Sequence, residues 1–154
     1  MTKNVLHPRL LMAAGLVLAT LATTMPVPMA AADAGSQEGR LTTHVLETAR
    51  GQPAAGMQID FAVREGDRYR VLKTIRTNDD GRTDEPLLVG KTMAAGRYRL
   101  VFHVAEYFAR AGADLPSPPF LDQVPVEFGV GNVAAHYHVP LLVSPWSYAT
   151  YRGS

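Results

Sequence analysis

His44, Arg82 and the pair His136 and His138 are among the side chains of this 154-residue sequence whose types suit chemistry at neutral pH. Histidine titrates there, so it can take or give a proton, or ligate a metal as the neutral imidazole. Arginine stays charged and presents a planar fork of donors to carbonyl or anionic oxygens. Each also has a plainer reading. A lone histidine on a strand is commonly a packed or surface residue, and Arg82, directly after Asn78-Asp79-Asp80-Gly81, reads as a solvated arginine at a loop tip. His136 and His138 are two positions apart, so on a strand they share a face with about 7 Å between them. That would suit a metal pair, but no third ligand has recognisable spacing and cysteine is absent, so no metal is expected. By themselves these residues say only that the chain carries some histidines.

The elements that must position them are strands. Residues 41–48 read as a strand holding His44, and Arg50-Gly51-Gln52-Pro53 as a turn. Met57, Ile59, Phe61 and Val63 alternate with polar or small residues, the period of a half-buried strand. Gly66-Asp67 turns the chain into a second alternating run over 69–77, which ends at the dense turn signal 78–81. Tyr98, Leu100 and Phe102 alternate, as do Val124, Val126 and Phe128, where Pro125 points to an edge strand. Residues 136–143 and 147–151 read as the last two strands, split by Ser144-Pro145. Only 105–113 has helical character, and Gly112 would end it. Seven to eight short strands with one short helix predict an all-β antiparallel sandwich.

Ahead of this domain, MTKNVLHPRL is basic, residues 10–22 are apolar apart from Gly15 and Thr20, and small residues follow. Ala30-Ala31-Ala32 and Ala32-Asp33-Ala34 both fit the A-x-A pattern before a cleavage point. These features predict a secretory signal over 1–32, cleaved near 32 or 34, and a periplasmic protein. A membrane anchor needs about 20 apolar residues, and the run here is shorter and followed by Pro26 and Pro28. Residues 33–39 read as a flexible lead-in and 40–154 as a single domain. Lys3 and Arg9 would leave with the signal, so 15 basic residues become 13 against 14 acidic ones. A near-neutral chain has no excess charge for nucleic acid or an anionic membrane. Without cysteine there is no disulfide framework, and the core must hold by burial.

The ends of the domain carry more. LTTHVLETARGQPAAGM at 41–57, TNDDGR at 77–82 and HYHVPLLVSPWSYATYRGS at 136–154 strongly resemble the signatures of the transthyretin-like family, in order and across the whole domain. The closing Tyr-Arg-Gly-Ser resembles the family's hydrolase branch rather than its hormone carrier. The resemblance implies a transthyretin-like β-sandwich that hydrolyses 5-hydroxyisourate, a ring-amide opening in urate degradation, with no cofactor. It also implies a homotetramer, a dimer of dimers with sites in a channel between the dimers. It assigns His44, Arg82 and His138 to catalysis, with His138 rather than His136 matching the second histidine. The histidines would activate water and shuttle protons, and Arg82 would orient the substrate. Tyr151 and Ser154 would join His44 and Arg82 in shaping the substrate pocket, and Arg152 would serve packing or charge balance. A non-catalytic carrier for small aromatic ligands, or a structural periplasmic sandwich, would use the same fold without needing this set together.

Overall fold

The structure is a computed structural model that describes residues 38–153. The expected signal over 1–32 and Ser154 lie outside the described residues. The strands are β1 (Arg40–Glu47), β2 (Gln52–Pro53), β3 (Gln58–Glu65), β4 (Arg68–Arg76), β5 (Leu88–Val89), β6 (Gly96–His103), β7 (Gln123–Val130), β8 (His136–Val143) and β9 (Tyr148–Thr150). One helix, α1 (Val104–Arg110), follows β6. The expected all-β sandwich is present: seven strands of three residues or more, extended by the two-residue ladders β2 and β5.

One sheet has the order β2-β1-β8-β9 with β5 also on β1, and the other has β4-β3-β6-β7. Every pairing is antiparallel except β1 with β8, which run parallel over their full length. Period two explains which side chains fill the space between the sheets. Leu41 and Val45 of β1 and Leu141 and Val143 of β8 face inward, as do Ile59 and Phe61 of β3 and Leu100 and Phe102 of β6. Phe61 stacks on Tyr98 with ring centroids 5.5 Å apart, one strand across.

Punctuation acts as its chemistry dictates. Gly66 takes φ +60° between the ends of β3 and β4, the first central position of a two-residue hairpin turn, where glycine is favoured. Pro125 sits in β7, an edge strand, where a missing N–H costs no ladder bond on the open side. The helix is anchored by Val104, Tyr107 and Phe108, the i, i+3, i+4 stripe. It is shorter than the helical stretch 105–113 in the sequence, because Gly112 reverses the chain at φ +77°.

The alternation over 69–77 does not survive as a regular strand. The β3–β4 register shifts between Phe61 and Ala62, leaving Leu72 as an extra residue in β4. This is a β-bulge, and Val71 and Leu72 are exposed beside it on the sheet's edge.

Glu47 ends β1 on its inward face and is 1% exposed. Burying a carboxylate is tolerable only with partners. Arg50 supplies them through a fork onto both oxygens, at 2.9, 3.0 and 2.6 Å, and the Tyr107 hydroxyl donates at 3.1 Å. The Arg50 contacts hold the carboxyl below its ordinary range, against the opposing effect of burial. A lowered carboxylate pKa contributes stability that is present above the unfolded value and lost as pH falls through the folded one. Glu47→Gln therefore has a lower urea midpoint than wild type at pH 7, and the gap closes as the pH is taken down to 3. A gap unchanged by acid would show that the charge of Glu47 is immaterial.

Candidate active site

The turn after β4 delivers Arg82 to β1. The Asn78 side-chain oxygen accepts the N–H groups of Asp80 and Arg82 at 3.1 and 3.0 Å, and Asn78 N–H donates to the Arg82 carbonyl at 2.7 Å. Gly81 sits at φ +71° with its carbonyl accepting Val45 N–H at 2.8 Å, and a Cβ there would strike the Val45 carbonyl. Glycine is required at that position twice over, by conformation and by space. The outcome is a bridge between His44 and Arg82 as cross-strand partners, so their side chains leave on one face.

The parallel register of β1 and β8 supplies the rest. Arg40 lies opposite His136, Thr42 opposite His138 and His44 opposite Pro140. The side chains of Arg40, Thr42, His44, His136 and His138 leave on the face opposite the buried odd-numbered residues; Pro140, on that same face, is itself buried. The His44 and His138 rings come within 6.5 Å of one another. The Thr42 hydroxyl lies 2.9 Å from His138 Nδ1. The C-terminal segment then runs along β8, with Gly153 and His138 exchanging backbone bonds at 2.8 and 3.4 Å.

His138 and Arg82 line a cleft of about 230 Å³ together with Arg40, Thr42, His136 and Tyr137. Among the described residues no carboxylate lines it, so the field of its walls favours an anion or an electron-rich carbonyl. His44 is set back from this lining, and its Nε2 is shielded from solvent with no partner among the described residues. Burial, followed by the charge of Arg82, lowers the pKa of both His44 and His138 below the ordinary value near 6.5. For His44 the Asp80 carbonyl and carboxylate partly oppose that shift. Both imidazoles are therefore held neutral near pH 7 and free to accept a proton.

The structure thus brings His44, Arg82 and His138 together. Tyr151 does not join them: it is exposed and borders a separate cleft of about 370 Å³, with Val126, Val139 and Arg152 among its walls. Arg152 lies over the Tyr137 ring with its guanidinium carbon 5.0 Å from the centroid. Among the described residues no group of three or more His, Asp or Glu is arranged to hold a metal ion. Two larger clefts of about 430 Å³ lie elsewhere, lined by mixed charges and without a histidine. Sequence reasoning missed Thr42 and Arg40. Their even spacing from His44 was the available signal, and it gains meaning only once β8 lies beside β1.

Comparison with known proteins fits this arrangement. The family model described as "Transthyretin: HIUase/Transthyretin family" matches residues 41–153. The chain is 55% identical over 119 residues to "5-hydroxyisourate hydrolase 2" of Rhizobium meliloti (strain 1021), covering 77% of this chain and 99% of that one. Among solved structures, the Klebsiella pneumoniae 5-hydroxyisourate hydrolase superposes with a TM-score of 0.61 at 32% identity, over 75% of this chain and 94% of that one. An (S)-allantoin synthase superposes with a TM-score of 0.72 at 46% identity, over 76% of this chain but only 44% of that longer one. The sandwich, the motif order and these similarities together place the chain in the HIUase/transthyretin family.

Proposed function

We propose that this chain is a 5-hydroxyisourate hydrolase, acting in urate degradation to form 2-oxo-4-hydroxy-4-carboxy-5-ureidoimidazoline. The observation that carries the reading is the meeting of His44, Arg82 and His138 on one face, in a chain similar at 55% to a protein of that name. In the reaction, water adds to the ring amide carbonyl, the C–N bond breaks, the nitrogen gains a proton and a carboxylate forms. A neutral imidazole takes the proton of the attacking water, and an imidazolium returns one to the leaving nitrogen. Arg82 holds the oxygen on which negative charge develops, an effect that is often the largest catalytic contribution. The test is the ultraviolet decay of freshly made 5-hydroxyisourate with and without purified protein. Acceleration over the spontaneous rate is expected, and equal rates would overturn the reading.

The pH profile follows from the lowered histidine pKa values. A base must be neutral, so kcat/KM rises with pH through the pKa of that base, and its midpoint falls below about 6.5. Arg82 opposes protonation of both rings. Arg82→Gln should therefore lower activity and move the acid limb to higher pH. A limb that stays in place would show that Arg82 does not tune the base.

Two further readings belong here as proposals. Residues 1–32 act as a secretory signal, supported by their basic start and apolar run; an intact Met1 on protein from a cytoplasmic fraction would overturn it. The protein assembles as a homotetramer, supported by exposed Phe120, Trp146, Tyr148 and Tyr151 beside the β8–β9 turn and the tail. Light scattering on the eluted protein reads the mass directly, and a monomer would overturn it.

A further inference from the structure

His138 is gripped on both edges of its ring. On one side Thr42 Oγ1 stands 2.9 Å from Nδ1. On the other, Gly153 packs so closely that a Cβ there would lie 2.8 Å from His138 Cδ2 and 3.0 Å from its Cβ. Nε2 and Cε1 are the ring atoms that neither contact covers, and His138 lines the cleft. The grip joins three distant parts of the chain: β1, β8 and the tail.

We propose that Thr42 is a positioning residue that keeps the His138 proton on Nδ1, with Gly153 holding the ring against it, so that the Nε2 lone pair faces substrate. The inference rests on the hydrolase reading for its kinetic consequence and on geometry alone for the tautomer. A hydroxyl has one proton to give and two lone pairs. The Tyr137 carbonyl lies 3.5 Å from Thr42 Oγ1, within reach to accept that proton, and the proposal assigns it there. The oxygen is then left to accept from Nδ1–H, and in a neutral imidazole that makes Nε2 the acceptor. A base that must take a proton from water needs its lone pair at that end. Among the described residues the charged and titratable groups facing His138 are Arg82 from the turn after β4 and His44 from β1, with His136 on its own strand and Arg40 across from it. None of them touches Nδ1, so none substitutes for Thr42.

Gly153 does not need glycine for its backbone, because its φ lies outside the left-handed region. The nearest atoms an alanine Cβ would meet there all belong to the His138 side chain. That makes Gly153→Ala a second, independent handle on the same ring.

The experiment combines steady-state kinetics with 15N chemical shifts of histidine-labelled protein, the His138 signals being assigned by their loss in His138→Asn. Wild type should show His138 protonated at Nδ1. Thr42→Val keeps the shape and removes the hydroxyl; it should mix the tautomers and lower kcat by about 10–100-fold, with KM within about threefold, by analogy with the cost of losing the partner that orients a metal-ligating histidine. Thr42→Ser should restore both readouts. Gly153→Ala should reproduce the kcat loss with Thr42 in place. A wild-type ring protonated at Nε2 overturns the proposal, as does a Thr42→Val protein with unchanged tautomer and kcat. If the wild-type protein hydrolyses nothing, the hydrolase reading falls while the 15N shifts still decide the tautomer.

Discussion

His138→Asn should lower kcat by about 10²–10⁴-fold, the usual worth of a general acid or base, in a protein whose circular dichroism is unchanged. The size follows from where the residue stands. His138 lines the cleft beside Arg82, its pKa is held low by burial and by that arginine, and both ring edges are engaged. Asparagine fills similar space and cannot carry a proton. His136→Asn should cost far less. His136 shares the face and the cleft, but it pairs with Arg40 at the start of the strand, farther from His44 and Arg82. His44→Asn should resemble His138→Asn, since the two rings lie 6.5 Å apart against one guanidinium. The double variant should then be much less than multiplicatively worse, as expected of groups acting as one unit. If His136→Asn proves as damaging as His138→Asn with the fold intact, the roles along β8 are wrongly assigned.

The largest stability loss should come from the centre of the sandwich. Phe61→Ala should destabilise by about 3–5 kcal/mol, the range for emptying a buried phenylalanine site. Phe61 is fully buried in β3, lies opposite Leu100 of β6 and stacks on Tyr98. The cavity cannot collapse easily, because neighbours on both sides are fixed by ladder hydrogen bonds. A domain of this size is stable by only about 5–15 kcal/mol, so the loss is a large fraction. Urea unfolding at fixed protein concentration measures it, because association would otherwise add to the apparent stability. A loss below about 1 kcal/mol would mean that the surrounding side chains refill the space.

Much of the positioning was legible locally. Alternation marks β3, β6 and β7 and sorts their inward from outward residues, because side chains in a strand change face at every step. Asn78 to Gly81 announces the turn that carries Arg82, since asparagine and glycine chemistry acts within a few residues. His44 and His138 were singled out by motif resemblance; that both side chains leave on the outward face is visible only in the structure.

What no local pattern holds is which strand lies beside which, and in what register. β1 and β8 are separated by most of the domain, and their parallel pairing alone sets Thr42 against His138 and brings two histidines to one arginine. Parity could rank neither His136 nor His138, because both occupy the same face; the bridges to Arg82 and Gly153 break that symmetry. Glu47 reads in sequence as a polar strand end, and only the approach of Arg50 and Tyr107 makes its burial tolerable. The bulge at Leu72 likewise comes from a cross-strand mismatch invisible in either strand separately. Period and turn chemistry are properties of neighbouring residues, so the sequence determined the strands, their faces and the residue types of the site. Distances between side chains far apart in the chain arise from pairing and packing, so tertiary structure decided which of those residues meet.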